Sequence, residues 1–284
     1  MALSAPVLAE LKTNIESLGL PADEDVLQKF SQLFDLLIAK NEVMNLTAIT
    51  DEKEVAIKHF YDSLTLVKDR KVMELLQSGC RVCDLGTGAG FPGIPIKIMF
   101  PKAEITFVDS VQKKLTYIDE ILTALGIHEG CTICHSRAED LGHDPASRET
   151  FALVTSRAVA NLSTLSEYCL PLVKVGGYFT AMKGDKVQTE SEITSAQKAL
   201  SLLGGKLVFQ QSFDLPEEMG ERTIVTVRKI KSTPKKFPRK AGLPSKEPIS
   251  WVVRRAAWKL FFAIFEFCPV SLFQIGGLLC WTTS

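Results

Sequence analysis

The run Cys80-Arg-Val-Cys-Asp-Leu-Gly-Thr-Gly-Ala-Gly-Phe-Pro-Gly93 constrains what this chain can fold into more than any other stretch. A short apolar segment ends in a carboxylate, Asp84. Gly86, Gly88 and Gly90 follow, and Pro92, Ile94 and Ile98 open the next element. That order spells a strand, a tight turn and the start of a helix. Glycines let the main chain take positive φ and approach a ligand closely, and the first turn of the following helix offers unpaired N–H groups. Such a turn holds a nucleotide-like cofactor through its backbone.

Two cofactor types fit the spacing. Gly88, Gly90 and Gly93 satisfy G-x-G-x-x-G, which by itself permits a dinucleotide and hence a nicotinamide-dependent oxidoreductase. Asp84 tilts the choice toward S-adenosylmethionine, because a carboxylate there can pair with the amino group of a methionine moiety and would repel a pyrophosphate. Glu104 to Asp109 reads as a second strand, and Asp109 stands where an acid accepts from ribose hydroxyls. Both cofactors carry a ribose, so Asp109 does not discriminate. A Gly-rich turn without a ligand is the plain alternative.

Upstream, Val7, Leu8, Leu11, Ile15 and Leu18 form a helical stripe over Pro6 to Leu18, stopped by Gly19 and Pro21. A second stripe covers Asp23 to Lys40, with acids in its first turn. A third helix starts at Asp51, which with Glu54 makes a capping-box pair. From Arg81 the period switches to short apolar runs: Val82 to Leu85, Ile105 to Val108, Thr132 to His135, Ala152 to Thr155 and Tyr178 to Ala181. Helices separate most of them, at Val111 to Leu125, Asn161 to Leu170 with Asn161 as N-cap, and around Glu192 to Leu203. Such alternation means right-handed crossovers and a parallel sheet. Leu207 to Phe213 and Thr223 to Val227 have no helix between them and read as a terminal antiparallel hairpin, where a dinucleotide dehydrogenase would more often repeat its βαβ half.

Ordered motifs extend this pattern. Asp84-Leu-Gly-Thr-Gly-Ala-Gly-Phe-Pro-Gly-Ile-Pro, preceded by Asn45-Leu-Thr and His59-Phe-Tyr-Asp-Ser, is followed by Ser136-Arg-Ala-Glu139, Ser156-Arg-Ala158, Ala181-Met-Lys-Gly184 and Thr233-Pro-Lys-Lys-Phe-Pro-Arg-Lys240. Over about residues 10 to 249 the chain resembles the glucose-inhibited division B family, the ribosomal RNA small-subunit methyltransferases G. The resemblance implies a bacterial S-adenosylmethionine-dependent enzyme that methylates N7 of a guanine in 16S ribosomal RNA near the decoding site. The expected fold is α/β, a class I (Rossmann-like) methyltransferase with a mostly parallel sheet, a terminal antiparallel hairpin and an N-terminal helical cap. Its divisions are expected at 1–70 for the cap, 71–230 for the methyltransferase domain, 231–249 for a basic RNA-binding tail and 250–284 for an apolar extension.

Ligands on such sheets bind outside the carboxyl ends of the strands. That rule nominates Gly86 to Phe91, Asp109, Ser136 to Glu139, Ser156, Arg157 and Lys183. By resemblance, Gly86, Phe91, Ala138, Glu139 and Arg157 map onto the family's cofactor contacts; Asp84, Gly88, Gly90 and Asp109 complete the expected cofactor set. Arg157 presents a planar fork of donors that suits a cofactor carboxylate, an RNA phosphate or the Hoogsteen edge of guanine, and a buried salt bridge is its structural alternative. Lys183 carries the same ambiguity. Asn41, Asn45, His59 and Asp62 are polar residues that the helical stripes do not need. His59 and Asp62 share a helix face, which suits a local hydrogen bond or contact with cofactor or RNA.

Missing motifs narrow the chemistry. Methylation of an exocyclic amine often uses an Asn-Pro-Pro-Tyr-like turn after the fourth strand, where this chain has Ser-Arg-Ala; methylation of a cytosine carbon needs a thiolate, and Cys169 sits mid-helix. A ring nitrogen with a free lone pair needs neither, so direct in-line transfer driven by proximity and orientation is the expected mechanism.

The formal net charge of zero hides a cationic stretch, Arg228 to Lys246, with eight cations and no acid. Lys235, Lys236, Arg239 and Lys240 in it are expected to lie along a phosphate backbone of 16S RNA or the small ribosomal subunit, with Phe237 free to stack; a solvated tail is the alternative. A non-catalytic RNA-binding protein on the same fold is a further reading. No basic segment followed by an apolar run opens the sequence, so a cytoplasmic, monomeric protein is expected, with its seven cysteines reduced. Cys80/Cys83 and Cys131/Cys134 have C-x-x-C spacing, but lie in strand-like runs and read as small apolar residues, so no metal is expected. After Ile249 the chain departs from the family: Ala256 to Trp281 is apolar, yet broken by Lys259, Glu266 and Pro269, which argues against an ordinary membrane span and leaves an interfacial helix or an incidental extension open.

Overall fold

The computed structural model describes residues 2–157 and 159–250. Among them seven strands form one sheet in the order β3-β2-β1-β4-β5-β7-β6. The strands are β1 (Arg81–Leu85), β2 (Glu104–Asp109), β3 (Cys131–His135), β4 (Phe151–Arg157), β5 (Val173–Lys183), β6 (Gly205–Asp214) and β7 (Glu221–Lys229). The first five pair in parallel, and β7 runs antiparallel between β5 and β6. This is the expected α/β methyltransferase sheet with its terminal hairpin. Chain order reverses at β1, with β2 on one side and β4 on the other, and the carboxyl ends of those strands open the crevice where ligands bind.

Helices α1 (Ala5–Ser17) and α2 (Glu24–Met44) follow the two N-terminal stripes. Asp23 caps α2 by accepting from Val26 N at 2.9 Å, and Asn45 ends it in the left-handed conformation at φ 49°. The third helical run departs from a plain α-helix. It opens as α3 (Glu52–Val55) with Asp51 accepting from Lys53 N and Glu54 N, widens to a π-helix over Ala56–Tyr61, narrows to α4 (Asp62–Leu64) and ends as a 3₁₀ turn, Thr65–Lys68. Glu54 pairs with Lys58 rather than reaching back to Asp51, so the capping box is only half made. A π turn inside a helix often marks a functional site, and this one carries Lys58 and His59 and leads into Asp62.

The remaining helices are α5 (Arg70–Gln77), α6 (Gly93–Met99), α7 (Gln112–Ala124), α8 (Ala138–Leu141), α9 (Leu162–Cys169), α10 (Lys186–Leu203) and α11 (Leu243–Lys246). Asn161 caps α9 through Thr164 N at 3.0 Å, and α10 starts several residues ahead of the expected Glu192 because Asp185 caps it through Gln188 N at 2.7 Å. One face of the sheet is covered by the N-terminal helices together with α6 and α7, in a single core that includes Phe30, Phe60, Phe107 and Tyr117. The cap therefore shares its core with the sheet. The opposite face packs α9 and α10 over Cys83, Phe151, Phe179 and Val225.

The basic segment after β7 differs most from expectation. It folds back across α9 rather than standing out as an extended tail. Phe237 is buried in the second core and is not free to stack on a base. Arg239 is not free for phosphate either: its Nε and Nη2 donate to the buried Glu167 carboxylate at 2.9 and 2.7 Å, and its backbone N–H adds a third bond at 2.7 Å. Lys229, fully buried, donates to Thr233 Oγ1 at 2.7 Å and pairs with Glu149 at 3.1 Å. Arg148 donates to the carbonyls of Phe237 and Thr233, both at 2.8 Å. Lys235, Lys236 and Lys240 remain exposed. None of the described helices is long and apolar enough to cross a membrane, and the question of the 250–284 extension lies, apart from Ser250, outside the described residues.

Removing one partner of a buried ion pair strands the other charge. Arg239→Leu should lower the unfolding free energy by about 3 kcal/mol in urea titrations, whereas Lys240→Leu should leave it nearly unchanged.

Candidate active site

A cavity of about 640 Å³ opens at the carboxyl ends of β1, β2 and β4. Gly86, Gly88, Asp109, Ala138, Glu139 and Arg157 line it, joined by Ser110, Ser136, Arg137 and Tyr168. The size suits a drug-sized ligand.

The Gly-rich turn is closed by hydrogen bonds from its own ends. Gly86 N and Thr87 N donate to Val108 O at 2.8 and 3.0 Å, tying the turn to β2. Asp84 Oδ2 accepts from Thr87 Oγ1 at 2.7 Å and from Gly93 N at 2.9 Å, which fixes the far end of the turn to the start of α6. Gly93 has no room for a side chain: a Cβ would stand 2.4 Å from Phe107 Cε1 and 2.7 Å from Asp84 Oδ2. Gly86 needs its glycine for conformation, at φ +73°, and a Cβ there would meet Val159 Cγ2 at 2.7 Å.

Asp84 does not line the cavity; it is 1 % exposed and turned into the turn it closes. Sequence reasoning placed it against a ligand's amino group, and its observed partners are the turn's own donors. Gly90 and Phe91 are also absent from the lining. Gly90 packs toward Ile94 and Ile118, and Phe91 is buried, stacked on His59 with ring centroids 4.9 Å apart. Above the Phe91 ring lies the Arg157 guanidinium, 5.3 Å from its centroid. Asp109 does face the cavity: Oδ2 accepts from Gly88 N at 3.1 Å, Oδ1 from Val111 N at 2.9 Å, and Lys114 Nζ stands 3.9 Å away. Glu139 lines the cavity too and accepts from Gly242 N at 2.8 Å, so the folded-back segment forms part of the wall.

Arg157 also borders a second cavity of about 320 Å³, lined by His59, Asp62, Lys183 and Arg222 together with Ile49, Lys58, Met182 and Gly184. Asp62 Oδ2 accepts from Arg222 Nε at 3.1 Å and from Arg157 Nη1 at 3.4 Å. Lys183 Nζ is held by Ala160 O at 2.9 Å and Glu192 at 2.8 Å. His59 Nε2 is 2.8 Å from Thr47 Oγ1; burial, and then the nearby Arg157 charge, push its pKa down to about 4. Asn41 Oδ1 accepts from Thr47 N at 2.9 Å and so shapes the loop behind His59, while Asn45 is the exposed end of α2.

Sequence reasoning missed Lys114, Tyr168 and Arg222, and it included Thr87 in the Gly86 to Phe91 run without its bond to Asp84. That bond was within reach, since a hydroxyl three residues after an aspartate inside a turn is a standard local partner. Arg222 had no local signal, because it meets Asp62 across 160 positions of chain. Among the described residues no group of three or more His, Cys, Asp or Glu could hold a metal ion. Burial raises the Cys80 and Cys131 thiols to about 11 and pushes Cys83 and Cys169 well above the ordinary thiol range, so none of the four is a ready nucleophile.

Burial also lifts the Asp84 carboxyl to about 6, against the opposing bonds from Thr87 and Gly93. The folded state therefore holds this proton more tightly than the unfolded chain, so Asp84 favours folding below about pH 4 and loses that advantage as pH rises toward 6. Asp84→Asn keeps an acceptor for both donors and removes the charge. Between pH 4 and pH 8 the stability of this variant relative to the unaltered protein should improve by about 3 kcal/mol, read from paired urea titrations.

Residues 26–224 match the family model described as rRNA small subunit methyltransferase G. A relative of that name from Lactobacillus acidophilus is 50% identical over 222 residues, covering 78% of this chain and 90% of its own. Another from Bacillus subtilis is 45% identical over 242 residues, covering 85% and 98%. Among solved structures, a SAM-dependent O-methyltransferase from Thermotoga maritima aligns with 70% of this chain and 72% of its own at 17% identity and a TM-score of 0.44. The chain belongs to the rRNA small subunit methyltransferase G family, as an rRNA methyltransferase.

Proposed function

We propose that this enzyme methylates N7 of a guanine in 16S ribosomal RNA, by direct in-line transfer and without a general base. The observation that carries the reading is the pair of cavities meeting at Arg157, the second of which is rimmed by the cations Arg157, Lys183 and Arg222. His59 is engaged by Thr47 and holds a proton only well below neutral pH, and Asp62 is bracketed by two guanidiniums. An exocyclic amine would need such a base; N7 does not, because its lone pair is already exposed.

In this reading the larger cavity takes the cofactor. Asp109 faces the ribose hydroxyls, the glycines at 86 and 88 let the main chain approach, and Ala138 and Glu139 flank the adenine. The group bound there supplies a methyl on a positively charged sulfur. Asp84 and Phe91 support the turn from behind it, and Gly90 lets the turn pack. The N7 lone pair forms the new N–C bond as the S–C bond breaks, a neutral thioether leaves, and the positive charge passes to the purine. No proton moves. Arg157, at the junction, aligns the two partners, and the exposed Lys235, Lys236 and Lys240 meet RNA phosphates of the small ribosomal subunit. Arg239, Asn41 and Asn45 act on RNA through the segments they hold in place.

Methyl transfer to small subunits, followed by nuclease digestion and mass analysis, should yield 7-methylguanosine; a methyl on an exocyclic amine or a ribose would overturn the proposal. The rate should rise gently to about pH 6, where Asp84 ionises, and then stay level. A bell centred near neutral pH would contradict transfer without a base.

A further inference from the structure

Asp62 combines two properties that its ion pairs do not explain. It is 3 % exposed, yet borders the smaller cavity. An ionised carboxylate has about four lone-pair positions, two on each oxygen. Oδ2 uses both of its positions on Arg222 and Arg157, while the buried Oδ1 has no hydrogen-bond partner. Native proteins leave few buried acceptors without a donor, and two guanidiniums hold this one in place. Ile49 and Met182 supply apolar walls to the same cavity.

We infer that Oδ1 of Asp62 reads the target base, accepting from the N1–H and the 2-amino group of guanine. The inference rests on the guanine-N7 reading above and adds to it how the base is chosen. Among the four RNA bases only guanine presents two neighbouring donors on its Watson–Crick edge, and an oxygen with two free lone-pair positions matches that pair. N7 lies on the opposite edge of the purine. A guanidinium reading guanine in the usual way would bind O6 and N7 and occupy the lone pair that must attack. Recognition by Asp62 leaves that lone pair free. Enzymes acting on a base commonly take it from its stack into a pocket, stack it between apolar side chains and read its Watson–Crick edge.

The test uses the full chain and small subunits reconstituted with 16S RNA carrying either guanosine or inosine at the methylated position. Inosine keeps N1–H and N7 and lacks only the 2-amino group. The unaltered enzyme should favour guanosine by about 10-fold in kcat/KM, the value of one hydrogen bond to a charged acceptor. In Asp62→Ala the ratio should fall to about one, with S-adenosylmethionine binding by calorimetry showing that the variant is folded. Asp62→Asn, which sets an amide N–H2 in place of one carboxylate oxygen, should lose more activity on guanosine than on inosine; if the alanine variant does not fold, this variant and the unaltered enzyme decide. Equal rates on guanosine and inosine with the unaltered enzyme would overturn the inference and leave the reaction standing, as would a structural water at Oδ1 that persists with RNA bound. Absence of 7-methylguanosine from the guanosine subunits would overturn the reaction itself.

Discussion

One carboxylate oxygen, Oδ2 of Asp84, receives the Thr87 hydroxyl and the Gly93 N–H, and through them the end of β1 is fixed to the start of α6. A loop of glycines is costly to order, because each has more backbone freedom to lose than any other residue. Two bonds to a buried anionic group, with two more from the turn to Val108 O, offset that cost locally. The geometry of the larger cavity then follows. Gly86 and Gly88 face outward, Asp109 accepts from Gly88 N, and Phe91 is carried back against His59 and beneath Arg157. The turn and the N-terminal helices are thus one packed assembly, and the two cavities inherit their relative position from it.

Electrostatics divide the two cavities. The larger one has carboxylates, Asp109 and Glu139, held by backbone N–H groups, an environment that receives hydroxyl and amine donors. The smaller one has Arg157, Arg222 and Lys183 with their acids folded among them, an environment with cationic rims. Burial lowers the pKa of Arg157, chiefly through desolvation, and Asp62 and Asp84 act against that loss. The charge at the junction is therefore maintained by acids on both sides.

Much of this was legible in the chain, where the signal is local. The seven strands, the caps at Asp51 and Asn161, and the Gly-rich turn depend on spacing within a few residues. Asp109 and Glu139 were placed at the cavity because the carboxyl ends of parallel strands lie on one side of the sheet. Asp84 was located correctly and oriented wrongly: sequence places a side chain at a strand end but does not say whether a neighbouring hydroxyl will claim it first. The basic segment was misjudged for a different reason. Prolines and lysines give no periodic pattern, and the contacts that fold it, Arg239 with Glu167 and Lys229 with Glu149, join residues more than seventy positions apart. The π turn at Ala56–Tyr61 leaves the same apolar spacing as an α-helix over so short a span, so its displacement of His59 and Asp62 is visible only in three dimensions.

The bond from Gly242 N to Glu139 Oε1 bears on how the enzyme is made. A ribosome delivers residues in order, and every strand of the sheet has been synthesised before Gly242 is added. The wall beside Glu139, with Gly242 and Ser245 in it, is therefore among the last surfaces to arrive. Nascent protein can own a complete sheet and a closed glycine turn while this side of the cavity still stands open to water, so the cavity takes its final form late in biosynthesis.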